Sequence, residues 1–349
     1  MHQDTPKRAA LIGAGMVAAT HVAACAEASG VTLHAIQSRS PDRARALADR
    51  AEALTGQPVT VHPDLASVAA DDSVDFAIIL TPPDARAEVI GPLARAGKHI
   101  LLEKPMGRTA AEAREVVAIC EDAGVRLGVV FQHRMRAASL AAARLVATGD
   151  LGPLGLVQIE VPWWRDQSYY DEPGRGTYAR DGGGVLISQA IHTLDLALSL
   201  AGPVEAVRAM ATTTRFHRME AEDIVAAGLR FANGAAGSLV ASTASFPGGA
   251  ESITLHYDRA SLHLQAGELH VNWRDGRHEV QGAAGGTGGG ADPMAFTHDW
   301  HRAVIEDFAA ALTENRAPAI TGTDALAVHD LIDALIRSAR EDELTKVRP

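Results

Sequence analysis

The strongest constraint on this chain is a rhythm. Between residues 9 and 130, short apolar runs alternate with helical patterns and never fall two of a kind in a row for long. Residues 9–12, 31–36, 59–61, 74–80, 99–102 and 125–130 read as strands. An alanine-rich helix ending near Gly30, then residues 41–54, 84–96 and 110–123, read as helices between them. Such alternation predicts a doubly wound parallel sheet with helices on both faces.

After Phe131 the rhythm changes. A helix at 137–147 leads into segments 156–161, 204–213, 223–229, 235–242, 252–257 and 261–264, which alternate as antiparallel strands do, with Ala232-Asn233-Gly234 as a turn. One helix, 185–200, interrupts them. The glycine-rich stretch 282–290 reads as a surface loop, and amphipathic helices at 296–313 and 324–340 close the chain. The expected division is therefore a parallel α/β domain over 1–130 and an α+β domain with a large, mainly antiparallel sheet over 131–349. A length of 349 residues suits two domains, at about 150 residues each.

A formal charge of −11 with no basic stripe argues against nucleic acid or an anionic membrane surface as partner. No apolar run reaches the ~18 residues of a membrane span. Cys25 and Cys120 sit among small apolar residues, read as buried thiols, and offer no metal spacing. With a polar start at residues 1–8 that leads straight into a strand, these features predict a cytoplasmic protein without a signal peptide.

Gly13-Ala14-Gly15-Met16-Val17-Ala18 joins the first strand to the first helix in the form GxGxxA. Gly13 permits the tight turn, Gly15 lets backbone approach a pyrophosphate, and the helix N-terminus at Met16 and Val17 attracts its charge. The second strand ends in Gln37-Ser38-Arg39-Ser40, where an acidic residue would bind the ribose hydroxyl of NAD. A serine beside an arginine suits a 2′-phosphate instead, so NADP is favoured with NAD possible, or else Arg39 is merely solvated. Thr81-Pro82-Pro83 makes a rigid turn at the same carboxyl edge. Glu103-Lys104-Pro105 follows the strand at 99–102, and a charged triplet there points into the ligand crevice of an open α/β sheet.

A second cluster runs from Asp181 through Gly182-Gly183-Gly184 to Asp195. The glycines bring backbone close to something bulky. On the helix that follows, Ser188, His192 and Asp195 fall at i, i+4 and i+7, which is one face. A histidine with a carboxylate one turn away can be held in one tautomer as a general base, although a lone helical histidine is usually structural. Trp163-Trp164-Arg165-Asp166-Gln167-Ser168-Tyr169-Tyr170 and then Arg175-Gly176-Thr177-Tyr178 are dense in aromatics for a chain with 4% of them. Aromatic faces stack on sugar C–H surfaces while Arg165, Tyr169, Tyr170, Arg175 and Tyr178 bond hydroxyls or carboxylates; a buried aromatic cluster is the competing reading. No histidine lies at metal-ligand spacing, so no metal is expected.

Together these motifs, with Asp307-Phe308 in a closing helix, resemble the glucose-fructose oxidoreductase / inositol dehydrogenase / rhizopine-catabolism family of NAD(P)-dependent oxidoreductases, over nearly the whole chain. The resemblance implies a Rossmann domain, cofactor contacts at Gly13, Gly15, Met16, Val17, Ser38, Arg39, Thr81, Pro82, Glu103 and Lys104, and catalysis by Lys104, His192 and Asp195. It implies that Lys104 hydrogen-bonds the reacting oxygen and His192 acts as acid and base. It also implies association as a homodimer or homotetramer through the open face of the second sheet. Two departures stand out: Ser188 replaces a frequent aspartate, and Arg86 replaces the histidine of the family's Thr-Pro-x-x-x-His turn, where it either alters cofactor contacts or merely adds a surface charge. The expected activity is hydride transfer between nicotinamide and a secondary alcohol of a sugar, sugar acid, nucleotide sugar or cyclitol. The rivals are an NAD-dependent glycoside hydrolase and a non-catalytic dinucleotide-binding regulator; retention of Lys104 and His192 argues against the second.

Overall fold

Ala9, Ala10, Leu11 and Ile12 are all at most 1% exposed, because a central parallel strand is covered on both faces and admits no polar side chain. They belong to β1 (Lys7–Ile12), the centre of a sheet completed by β2 (Val31–Gln37), β3 (Thr60–His62), β4 (Phe76–Ile79), β5 (His99–Glu103) and β6 (Leu127–Val130). The order is β3-β2-β1-β4-β5-β6 with every pair parallel. Between the strands run α1 (Ala18–Glu27), α2 (Pro41–Thr55), α3 (Leu65–Ala69), α4 (Arg86–Arg95) and α5 (Ala110–Asp122). In this computed structural model, residues 5–283 and 296–348 are described.

Local sequence dictates most of these boundaries. Ser40 caps α2 by accepting from the Arg43 N–H, Pro41 opens its first turn, and Gly56 closes it in the left-handed conformation at φ 68°. The expected helix at 84–96 instead begins as a single 3₁₀ turn at Pro83–Ala85, since the two prolines remove N–H donors there, and becomes α-helical at Arg86. α3 was not legible: it is five residues long, with Val68 as its one fully buried anchor.

The remainder forms a nine-stranded sheet. Its strands are β7 (Leu154–Pro162), β8 (Val204–Thr212), β9 (Ile224–Phe231), β10 (Ala236–Ser242), β11 (Ser252–Tyr257), β12 (Ala260–Gln265), β13 (Glu268–Trp273), β14 (His278–Gly282) and β15 (Thr345–Lys346). The order is β14-β13-β12-β11-β7-β10-β9-β8-β15, antiparallel except for β7 beside β10. On β7, Val157, Ile159 and Val161 turn inward while the residues between them are exposed, the period-2 signature of a sheet covered on one side. α6 (Ala137–Ala147), the single turn α7 (Gln167–Tyr170), α8 (Ile191–Ala201), α9 (Asp299–Thr313) and α10 (Gly322–Glu341) complete the helices. β13, β14 and β15 were not expected; all five residues of β14 are exposed, so no apolar alternation announced it. The predicted glycine loop lies outside the described residues, apart from Gly282 and Ala283.

The two compact units are 1–107, 111–132 and 298–325 on one side, and 108–110, 133–297 and 326–349 on the other. A single boundary near 130 therefore overlooks the return of 298–325 to the first unit. The cause is visible at Gly128 on β6: a Cβ there would lie 2.6 Å from the Phe308 ring of α9, which also packs on Phe76 at 5.4 Å between centroids. Cys25 and Cys120 are buried and unpaired, and burial pushes both thiols up to about 12. Among the described residues, no helix is long and apolar enough to cross a membrane.

Candidate active site

In the first unit, β1, β4 and β5 are consecutive in the sheet, so the turns after them lie side by side along the carboxyl edge. Gly13 donates its N–H to the Gln37 carbonyl at 2.8 Å. Its φ of 110°, and a Cβ position 3.3 Å from Leu80, explain why nothing larger stands there. A Cβ on Gly15 would meet nothing within 4 Å. Met16 is half exposed and α1 starts without a side-chain cap, its Ala18 and Thr20 N–H groups turning back to the Gly15 and Val17 carbonyls, each at 3.1 Å; the positive end of a helix favours an anion. Thr81 Oγ1 is buried with no hydrogen-bond partner among the described residues. An open glycine, an uncapped helix start and an orphaned hydroxyl on one edge fit a dinucleotide.

Ser38 and Arg39 stand at the end of β2, where the Ser38 hydroxyl accepts from the Ser40 N–H at 3.2 Å and Arg39 is exposed. Lys104 is partly exposed at the end of β5. Its neighbour Glu103 turns the other way. Glu103 Oε1 accepts from His21 Nε2 at 2.8 Å and lies 3.7 Å from His301 Nε2, and Oε2 accepts the Lys104 N–H at 3.0 Å. Burial alone would raise this carboxyl, but the hydrogen bonds of His21 and His301 outweigh it and hold the group well below its ordinary range. Burial also lowers His301. The expected cofactor contact at Glu103 is thus a carboxylate committed to an internal network of two imidazoles. These three side chains also bring metal-binding atom types within 4.8 Å of one another, a grouping that chain spacing does not reveal.

Arg86 is not a surface charge. It is 3% exposed and donates to the backbone carbonyls of Thr81 at 3.2 Å, Lys104 at 3.4 Å and Pro105.

In the second unit, the glycine run meets protein. A Cβ on Gly184 would fall 1.8 Å from the Glu222 carbonyl oxygen, and one on Gly182 would fall 2.5 Å from that of Arg108. The bulky neighbour the glycines admit is backbone. Glu222, itself buried, accepts from the N–H groups of Gly184 at 3.1 Å and Leu186 at 3.2 Å, and so caps the helix start; burial raises its carboxyl. The predicted continuous helix begins with a π turn at Leu186–Ala190 before α8, a feature that recurs at functional sites. Ser188 Oγ donates to the Gly184 carbonyl at 2.5 Å.

His192 is 6% exposed, and its ring stacks on His133 at 4.8 Å. His133 Nε2 lies 2.6 Å from Arg136, which pairs with buried Glu251 at 2.6 Å, and Trp163 Nε1 donates to the same carboxylate at 3.2 Å. Arg134 clasps the Asp195 carboxylate with two bonds, at 2.7 and 2.6 Å. His133 and Arg134 were not singled out from the sequence. They lie on a short 3₁₀ turn, Gln132–Met135, for which the sequence carried no pattern signal.

The aromatic segment divides. Arg165 is 2% exposed, donates to the Trp164 carbonyl, and lies over the rings of Trp163 and Tyr169 at 5.2 and 5.9 Å. Tyr170 is buried, with its hydroxyl 2.7 Å from that of Thr243, and burial pushes it up to about 12. Both are committed to contacts within the second unit. Tyr169 and Arg175 are partly exposed, with the guanidinium over the ring at 4.8 Å, and Tyr178 is exposed.

A parallel sheet in this order, with a glycine cradle at its first turn, defines an α/β dinucleotide-binding protein. Residues 7–131 match the oxidoreductase family with an NAD-binding Rossmann fold, and 139–263 match the GFO/IDH/MocA C-terminal domain. The chain belongs to this GFO/IDH/MocA oxidoreductase family. It is 28% identical over 346 residues to the inositol 2-dehydrogenase of Rhizobium meliloti, covering 96% of this chain and 97% of that one. It is 26% identical over 322 residues to the levoglucosan dehydrogenase of Pseudarthrobacter phenanthrenivorans, covering 81% and 83%. The WlbA dehydrogenase from Bordetella pertussis, solved with NADH and UDP-GlcNAcA, superposes with a TM-score of 0.83 at 27% identity over 99% of each chain.

Proposed function

We propose that this chain is a dehydrogenase that oxidises or reduces a secondary alcohol of a carbohydrate or cyclitol, preferring NADP. The observation that carries the reading is the alignment of Gly15, Thr81 and Lys104 on adjacent strand ends of the first unit. A ligand at the carboxyl edge meets an uncapped helix, an unsatisfied hydroxyl and an ammonium in sequence. Bound nicotinamide supplies the hydride acceptor or donor. Lys104 donates a hydrogen bond to the substrate oxygen and steadies the charge that develops on it. His192 removes the hydroxyl proton, or returns it in the reverse direction. Asp195, held by Arg134, fixes the helix on which His192 rides. Tyr169 and Arg175, which are hydrogen-bonded to each other at 3.1 Å, and Tyr178 are the side chains of the aromatic segment with surface to offer substrate hydroxyls. The named relatives act on inositol and levoglucosan or bind UDP-GlcNAcA, all polyhydroxylated ring compounds, which supports this substrate class.

A panel of sugars, sugar acids and cyclitols, read by NADPH absorbance, tests the reaction. Cleavage of a nitrophenyl glycoside without net dinucleotide turnover would favour the hydrolase reading instead. Cofactor preference rests on Arg39, exposed beside neutral Ser38. The double replacement Ser38→Asp and Arg39→Leu should move preference toward NAD, and a parent protein that already binds NAD more tightly would sink the idea.

We also propose symmetric association through the uncovered sheet face. Met210, Ala226 and Val240 form one cross-strand row on β8, β9 and β10, with Met210 59% and Val240 47% exposed. Sedimentation as a 36.6 kDa species alone at micromolar concentration would contradict it.

A further inference from the structure

Arg86 sits in an unfavourable place for a cation. It is the first residue of α4, at the positive end of that helix, and its guanidinium is removed from water. Burial pulls it down to about 9, with Glu103 and Asp84 acting in the opposite direction, so it stays protonated at neutral pH. What it meets is three backbone carbonyls from two turns. Nε reaches Thr81 after β4, and the two terminal nitrogens reach Lys104 and Pro105 after β5. A planar fork with five N–H donors can serve three acceptors in fixed directions at once. An imidazole has at most two donors, and a lysine ammonium carries no fixed plane.

We infer that Arg86 is a positioning residue which locks the Lys104 turn against the Thr81 turn, and thereby holds the Lys104 ammonium in register with the dinucleotide. The inference rests on the proposed role of Lys104. It assigns Arg86 neither a contact with the substrate nor a proton to transfer. Both turns end adjacent strands, so their separation is already set by the sheet ladder between β4 and β5. The turns themselves extend past that ladder, and there Arg86 supplies the tie. Loss of the tie leaves the ammonium free to move by about 1 Å, which lowers turnover more than it lowers binding.

The test uses the full chain, a substrate confirmed from the panel, and four variants: Arg86→Ala, Arg86→Lys, Lys104→Ala and the Arg86→Ala/Lys104→Ala double. Arg86→Ala should lose roughly 10²-fold in kcat, the scale of a small misplacement, while dinucleotide affinity read by fluorescence changes far less. Added guanidinium should restore turnover in Arg86→Ala and leave Lys104→Ala unaffected. In the Lys104→Ala background, Arg86→Ala should cost almost nothing further, because its effect passes through the lysine. Losses that multiply in the double variant, or no rescue by guanidinium, would overturn the inference while leaving Lys104 in its role. Normal turnover in Lys104→Ala would overturn both. Should Arg86→Ala fail to fold, Arg86→Lys keeps the charge and loses the fork. A reduced kcat with unchanged dinucleotide affinity in that variant supports the tie, and parental turnover refutes it.

Discussion

Gly15 in the first unit and Gly184 in the second both precede a helix, and they are glycines for opposite reasons. Around Gly15 there is open space where a side chain would go; around Gly184 there is the Glu222 backbone at 1.8 Å. In open parallel sheets of this kind, ligands bind outside the carboxyl ends of the strands. The second unit uses the same residue type to bring one piece of its own backbone against another. The contrast extends to charged groups. Lys104 is partly exposed, whereas Asp195, Arg165, Glu222 and Glu251 are buried and matched inside the protein. In the first unit Glu103 and Arg86 are buried and matched as well, so the contrast is confined to Gly15 and Lys104, which keep open or exposed surroundings.

The sharpest break of that contrast would come from His192, which is buried like a structural group but assigned to chemistry. His192→Ala should reduce turnover by roughly 10² to 10⁴, the worth of one acid–base group. Near-parental turnover would return His192 to the structural side and make Tyr169 or Tyr178 the better base.

The glycine pair comes next. Gly184→Ala should destabilise by about 3 kcal/mol or more, because backbone and not a flexible side-chain tip must yield. Gly15→Ala should leave the melting temperature unchanged yet weaken dinucleotide binding by roughly tenfold, about 1.4 kcal/mol. Equal melting temperatures for the two variants would erase the distinction.

Glu103→Gln probes the buried network of the first unit. The Glu103 carboxyl is held well below its ordinary 4.5, so its ionised form stabilises the folded state above that pH and this contribution fades as pH falls toward the depressed value. The variant should melt below the parent at pH 7, with the gap closing in acid. A gap independent of pH would show that Glu103 contributes by shape rather than charge.

Ser188→Ala should have the smallest effect. It removes the bond to the Gly184 carbonyl, at a cost of about 1 kcal/mol or less in stability, and turnover should hardly move. A large loss of activity would give this serine a role beside His192.

How much of this was legible depended on the distance between partners along the chain. The strands of the first sheet, the glycine turn and the extent of α2 were readable because backbone sterics and short-range hydrogen bonds fix them within a few residues. The position of Lys104 just after a strand was readable because a strand end is defined by local pattern; its role remains a proposal. The charged partners were not: Arg134 and Asp195 are 61 positions apart, Glu222 and Gly184 38, and His21 and Glu103 82. The face of Ser188, His192 and Asp195 was inferred from α-helical spacing, while the observed segment opens with a π turn.

The sequence by itself determined that the first half is a parallel sheet covered by helices, because strand–helix alternation buries strands on both faces, and the open order β3-β2-β1-β4-β5-β6 bears out the doubly wound reading. It also carried the expectation that a ligand would meet that sheet at its carboxyl edge. Only the tertiary structure decided that residues 298–325 return to the first unit through Phe308 on Gly128, that Arg86 faces inward onto three carbonyls, and that the glycine run receives backbone. The reason is physical. Pattern along a chain encodes which face of an element is buried, whereas the identity of the group that buries it is set by the order in which elements are brought together.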